Sequence, residues 1–135
     1  MGTPEFAVPS LSSLVTSTHK IVTVITQPDR PRGRGKISCP SPVKEAAQKL
    51  GLEIIQPINI NDEAVVRQLQ HLSPDCIVVV AFGQFLSSPI INLPKFKCIN
   101  IHASLLPKFR GAAPINWVII RGETITGVTA VVMSV

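Results

Sequence analysis

Tyrosine is absent, and aromatic residues make up only 4% of the chain, so aliphatic side chains have to fill whatever core it builds. Charged residues are sparse as well, at 16% against 45% hydrophobic, a balance that excludes a disordered chain. No apolar run approaches the roughly 18–20 residues that a membrane-spanning helix needs. The opening Met1-Gly2-Thr3-Pro4-Glu5 has neither the basic nor the apolar stretch of a secretory signal. Cysteine is down to Cys39, Cys76 and Cys98, an odd count at spacings that form no zinc or redox motif. That usage fits a reducing compartment and excludes a disulfide framework; Cys76 and Cys98 fall in apparent strands and are expected to be buried thiols. Phosphate loops of the GxGxxG and Walker kinds are missing, so neither a nucleotide nor a metal is expected. His19 and His71 stand alone, on or beside helices, and are expected at the surface.

What is present is a regular alternation. With 135 residues, a net charge of +5 and a pI near 9.5, the chain is one domain whose modest basic excess permits a nucleic-acid partner. Leu11, Leu14 and Val15 recur at helical spacing after Pro9, giving a helix over 9–15. The β-branched run 21–26 reads as a strand, and 27–40 as a Pro/Gly/Arg loop. Ser41 is a candidate N-cap for a helix over 42–50, with Pro42 at its first position and Gly51 ending it. A short strand at 53–56 precedes a helix that starts at Asn61 or Asp62 and runs to His71. Within 75–81, the run Cys-Ile-Val-Val-Val-Ala that follows Asp75 is apolar, as befits a strand covered on both faces. A short helical piece opens at Ser88-Pro89. A strand at 97–101, a helix at 113–121 and a final strand at 127–135 complete the order. Strands alternating with helices imply an open, mostly parallel α/β sheet with helices on both faces. Ligands bind beyond the carboxyl ends of such strands. The loops at 27–40, 82–87 and 102–113, with any segment after Val135, are expected to converge on that rim.

Two segments carry chemistry. Asn100 and His102 lie two apart at a strand end, so their side chains share a face. A carboxamide can donate to a developing oxyanion, and an imidazole can move a proton near neutral pH. The plainer alternative is an Asn that starts a turn and a His that bonds a backbone carbonyl. Separately, Arg30, Arg32, Arg34 and Lys36 crowd into seven residues between prolines and glycines. That stretch is either a solvated loop or a cationic probe for phosphates, with salt-dependent binding in the second case.

Three blocks resemble one family. Asn100-Ile101-His102-Ala103-Ser104-Leu105-Leu106-Pro107, continuing through Lys108-Phe109-Arg110-Gly111-Ala112-Ala113-Pro114, is similar to the N-x-H-x-S-L-L-P block of formyltransferases that use 10-formyltetrahydrofolate. Gly2-Thr3-Pro4-Glu5-Phe6-Ala7 and Thr26-Gln27-Pro28-Asp29-Arg30-Pro31-Arg32-Gly33-Arg34-Gly35-Lys36 narrow the likeness to the methionyl-tRNA formyltransferases. The resemblance covers the whole chain. It implies a Rossmann-like fold and formyl transfer from 10-formyltetrahydrofolate, as donor substrate, to the α-amine of methionyl initiator tRNA in translation initiation. It makes Asn100 and His102 catalytic. It puts the folate against Ser104, Leu105, Leu106 and Pro107 and against Phe82, Gly83, Phe85 and Leu86. It puts tRNA on Arg30, Arg32, Arg34 and Lys36. A monomeric enzyme of the bacterial cytoplasm is the implied setting, and an organelle matrix is compatible with the same residues.

The resemblance also implies a longer protein. Family members carry a central strand ahead of Gly-Thr-Pro, an L-D-T-G whose Asp completes the catalytic set, and a C-terminal tRNA-gripping barrel. Residues 1–135 are therefore expected to be an incomplete catalytic domain with little activity of its own. Relatives with another acceptor, or a non-catalytic folate- or RNA-binding fragment, are the alternatives. The loop from Gln27 to Lys36 favours the tRNA acceptor.

Overall fold

The computed structural model describes residues 1–32 and 37–134. A single 3-10 turn, Glu5–Ala7, leads into α1 (Val8–Val15), which has Pro9 in its first turn and buries Leu11. Helix α2 (Pro42–Lys49) starts where its sequence says it should. Ser41 is extended, its Oγ accepts the Lys44 N–H at 3.1 Å, and Pro42 follows at the first helical position. The same hydroxyl lies 2.7 Å from Thr26 Oγ1, so the cap also fastens α2 to the end of the neighbouring strand. Asp62 precedes α3 (Glu63–Leu72), and the left-handed Ser73 closes it. The helices α4 (Ser88–Ile91) and α5 (Pro114–Ile120) are short.

The strands are short too. They are β1 (Val24–Ile25), β4 (Ile54–Ile55), β5 (Ile77–Val79), β6 (Cys98–His102) and β7 (Thr129–Val132), with β2 (Arg30–Arg32) and β3 (Ile37–Cys39) between β1 and α2. β1 pairs in parallel with β4, and β5 with β6. The sheet is thus mostly parallel, as the alternation implies. The last strand departs from the pattern: β7 runs antiparallel to β6, with Thr129 opposite His102. Its far end at Val132 therefore points away from the rim where β6 ends. A second departure concerns residues 27–40, which are not simply a loop. β2 and β3 form an antiparallel ribbon, with Arg30 opposite Cys39 and Pro31 opposite Ser38. A two-stranded ribbon tolerates Pro31 because each strand has a free edge, where a missing N–H breaks no ladder.

Two apolar clusters occupy the two faces of the sheet. Ile25, Ile77, Val79 and Cys98 pack with Leu69 of α3 and with Ile90 and Ile91 of α4. Val24 and Val80 pack on the other face with Leu11 of α1 and with Val43 and Ala47 of α2. Neighbouring residues of β1 thus enter opposite cores, as the strand's period of two requires.

Met1 and Gly2 connect β1 to β5. The Gly2 N–H donates to the Ile25 carbonyl (3.0 Å), and the Met1 carbonyl accepts from Val80 N–H (2.9 Å). Gly2 forms a parallel bridge with Val80. A Cβ on Gly2 would stand 2.7 Å from the Ala7 Cβ and 3.0 Å from the Val80 carbonyl, so the backbones meet this closely only because the residue is glycine. Behind Met1 a cavity of about 650 Å³ opens between Thr23 and Cys76 and reaches His19, Asp75 and Phe96. These residues precede the strands, so the cavity lies at the amino ends of the sheet. The Met1 ammonium is buried against it and donates to the Val78 carbonyl at 2.7 Å. Cys98 is buried, and its thiol is pushed up to about 11 by that burial, with a further upward push from Cys76. Cys76, expected to be a buried strand thiol, is half-buried and sits one residue ahead of β5.

Burial lowers the Met1 amine from 8.0 to about 6.

Candidate active site

The amide and the imidazole are held by the most fully paired strand in the sheet. β6 is hydrogen-bonded on both sides, to β5 and to β7, with Asn100 opposite Val79 and Val131. Alternation along β6 sends Cys98, Asn100 and His102 to one face, and Asn100 and His102 are both half-buried. The Asn100 carboxamide bonds no other group among the described residues, so its N–H donors are open to a ligand. His102 Nε2 lies 2.9 Å from the Phe109 carbonyl. A carbonyl only accepts, so Nε2 carries a proton and Nδ1 is the nitrogen left for exchange. The plainer reading of this histidine, a bond to backbone, is thus present, and it also fixes the ring.

The loop after β6 doubles back tightly. Phe109, Gly111 and Ala113 take positive φ (54°, 86° and 54°), and the Leu106–Pro107 bond is cis. The turn brings the Phe109 carbonyl back to His102. Ser104 is fully buried and donates through Oγ to the Lys108 carbonyl at 2.7 Å, so its hydroxyl faces into the loop. Thr129, at the start of β7, completes the brace. Its hydroxyl donates to the Ser104 carbonyl (2.7 Å) and accepts from Leu106 N–H (3.1 Å). Leu105 projects outward, half exposed, with its methyl against Gly127. The sequence reading did not single out Thr129. Its one legible signal is a hydroxyl at the head of an apolar strand.

The segment after β5 divides between core and surface. Phe82 and Leu86, named for the folate, are 2% exposed and belong to the main cluster, whereas Phe85 is 83% exposed. Gly83 turns the chain with φ of 87°. The loop is moored by amides that the sequence reading passed over. Gln84 Oε1 accepts the Ile60 N–H (2.7 Å), and Asn61 donates to the Phe85 carbonyl (2.9 Å) while accepting from Ser87 N–H (2.9 Å).

The ribbon is anchored at its base. Gln56 Nε2 donates to the Gln27 carbonyl (2.9 Å) and to Asp29 Oδ1 (2.7 Å), and Lys44 Nζ pairs with Asp29 Oδ2 (2.6 Å). Those two donors hold the Asp29 carboxyl below its ordinary range, Lys44 first. Of the four basic residues proposed from sequence, Arg30 is exposed on β2 and donates to Gln27 Oε1 at 3.1 Å, and Arg32 ends β2. Arg34 and Lys36 lie outside the described residues. His19 and His71 are exposed. Among the described residues no group of three or more His, Cys, Asp or Glu is placed to hold a metal, and no helix is long and apolar enough to cross a membrane.

A second cavity, of about 340 Å³, lies between the ribbon and the Phe82 loop, lined by Thr3, Gln27, Arg30, Cys39 and Phe82 among others. Although smaller than the first, it opens beyond the carboxyl ends of β1 and β5, where ligands of open α/β sheets bind. Neither cavity reaches Asn100 or His102, which stand at the open end of the neighbouring strand.

Fold and site together define a class: an open α/β domain presenting an amide and an imidazole at its carboxyl rim. Comparison with known proteins makes the class specific. The formyl transferase model matches residues 1–135, and the chain belongs to that family. It is 53% identical over 135 residues to the methionyl-tRNA formyltransferase of Geotalea uraniireducens and 56% identical to that of Alkaliphilus oremlandii. The chain spans less than half the length of these relatives, 43% and 44%. Among solved structures it superposes on phosphoribosylglycinamide formyltransferase from Anaplasma phagocytophilum with a TM-score of 0.73 at 21% identity, covering 98% of this chain and 61% of that one. The Bacillus halodurans protein of the same title gives 0.71 at 19%, covering 98% and 69%. At these identities the structures establish the Rossmann-like formyltransferase fold and nothing finer.

Thr129→Val keeps the shape of the brace and removes both of its bonds. The expected loss is about 1–3 kcal/mol in urea unfolding, because a half-buried carbonyl and N–H are left without partners. Hydrogen exchange at the Leu106 amide is expected to quicken in the same variant.

Proposed function

We propose that this chain is the catalytic part of an enzyme that moves a formyl group from 10-formyltetrahydrofolate to the α-amine of methionyl initiator tRNA. The observation that carries the reading is an open carboxamide and a fixed imidazole side by side on β6, within a chain more than half identical to methionyl-tRNA formyltransferases along its whole length. In the proposed reaction the amine nitrogen attacks the formyl carbon, and the carbonyl oxygen becomes an oxyanion. Asn100 donates to that oxygen. Such a donor contributes roughly 10²–10³ in rate. The bond from the formyl carbon to N10 then breaks, N10 gains a proton and the attacking amine loses one. His102, with Nε2–H engaged by Phe109, handles that proton through Nδ1, a role worth roughly 10²–10⁴.

The folate is assigned to the braced segment Ser104-Leu105-Leu106-Pro107 and to the loop Phe82, Gly83, Phe85 and Leu86. Ser104, Phe82 and Leu86 shape these walls from within, while Leu105 and Phe85 are the exposed apolar surfaces a flat heterocycle would meet. The acceptor arm of the tRNA is assigned to the basic stretch of Arg30, Arg32, Arg34 and Lys36, whose cations suit its phosphates. The basic ribbon is what favours a nucleic-acid acceptor over a small amine.

The test is a formylation assay with 10-formyltetrahydrofolate and either methionyl initiator tRNA or glycinamide ribonucleotide. Formylation of the tRNA alone is expected. In the protein carrying the downstream segment, Asn100→Ala and His102→Ala are expected to lower kcat by about two to four powers of ten. Arg34→Ala is expected to raise KM for tRNA while leaving folate binding in place. Unchanged rates in the first two variants, or formyl transfer to the ribonucleotide instead, would refute the assignment.

A further inference from the structure

A buried side chain, Gln27, joins the ribbon to the Phe82 loop. Gln27 is 6% exposed and follows β1 by two residues. Its Nε2 donates to the Phe82 carbonyl at 3.3 Å, and its Oε1 accepts from Arg30 Nη2 at 3.1 Å. The Phe82 carbonyl also accepts from Thr3 Oγ1 at 2.8 Å. Gly83 packs close by, with an ideal Cβ 3.7 Å from Gln27 Nε2. The Gln27 backbone cannot absorb movement freely, because its carbonyl is tied to Gln56 and the next anchor, Asp29, is tied to Gln56 and Lys44. A shift of the Phe82–Gly83 turn must therefore rotate the amide about its own side-chain torsions. Because an amide's oxygen and nitrogen are fixed in one rigid plane, such a rotation misaligns the Arg30 bond. The cavity of about 340 Å³ lies between the two joined segments.

We propose that Gln27 is a positioning residue that couples the ribbon to the Phe82 loop, so that a ligand held by one changes the affinity of the other. Resting on the function proposed above, this means that folate and the tRNA acceptor arm bind cooperatively through one amide. Coupling of this kind is reciprocal: each ligand shifts the other's Kd by the same factor.

Gln27→Glu separates the two ends. The carboxylate still accepts from Arg30 but has no N–H for the Phe82 carbonyl and repels it. In a binding experiment with 10-formyltetrahydrofolate and uncharged initiator tRNA, the wild-type chain is expected to show each ligand improving the other by about fivefold or more, the lower end of typical coupling. In Gln27→Glu the factor is expected to fall to one, while each ligand alone binds within about twofold of wild type. A purely structural role would weaken the separate affinities and leave the factor in place. Persistence of coupling in the variant, or its absence in the wild type, overturns the proposal. A ligand-free arm decides the matter independently. Arg30→Ala, at an exposed residue, is expected to move the amide resonances of Gly83, Gln84 and Phe85, and to stop moving them once Gln27 is Glu. Equal shifts in both backgrounds, or none in Arg30→Ala, also overturn the coupling. If neither ligand binds, the proposed function fails, and the resonance experiment still decides the role of Gln27.

Discussion

Two backbone hydrogen bonds at Gly2 and Met1 hold the carboxyl rim in one piece. One runs to Ile25 at the end of β1 and the other comes from Val80 just after β5. Without that contact, β1 with β4 and β5 with β6 and β7 are separate sheets. The ribbon hangs from the first of these and the Asn100–His102 strand belongs to the second. Their relative placement therefore depends on how closely Gly2 approaches Val80, and a side chain there would collide with Ala7 and the Val80 carbonyl. The Gly-Thr-Pro opening is a spacing device, and Thr3 extends it by donating to the Phe82 carbonyl.

A second level of organisation lies in the polar groups that stiffen the loops. The described residues contain no buried side-chain nitrogen or oxygen without a partner. Ser104, Thr129, Gln27, Gln56, Gln84 and Asn61 each satisfy a backbone group that leaves regular structure at the rim. Irregular backbone needs such partners, because an unpaired buried amide or carbonyl costs about as much as a lost hydrogen bond. Asn100 is a different case: its amide is held on a paired strand with no partner among the described residues.

Most of the secondary structure could be read from local chemistry. Ser41-Pro42 announced α2, Ser88-Pro89 announced α4, and the all-aliphatic stretch before Ala81 announced a strand covered on both faces. These signals act over three or four residues and survive in any tertiary setting. The ribbon was not legible, since Arg30-Pro31-Arg32 has no apolar face to mark a strand and each three-residue strand depends on pairing with the other. The direction of β7 was hidden too. An antiparallel and a parallel neighbour bury similar side chains, and the choice is made by the path of the chain between β6 and β7. The roles of Phe82 and Leu86 were open for the same reason, as the residues of an apolar loop motif divide between core and surface only once the fold is known.

By itself, the sequence determined the order of elements outside the ribbon, the helix starts and the amide–imidazole pair, because each depends on side-chain size, periodicity or spacing within one segment. The tertiary structure decided what those parts can do together. It set Thr129 beside Ser104, turned the Phe109 carbonyl onto His102 and laid the Gln27 amide between Arg30 and Phe82. Such contacts join residues up to 55 positions apart, as Gln27 and Phe82 are, and no local rule fixes them. They exist only where two backbones, brought together by burying the same aliphatic core, leave one polar gap of the right size between them.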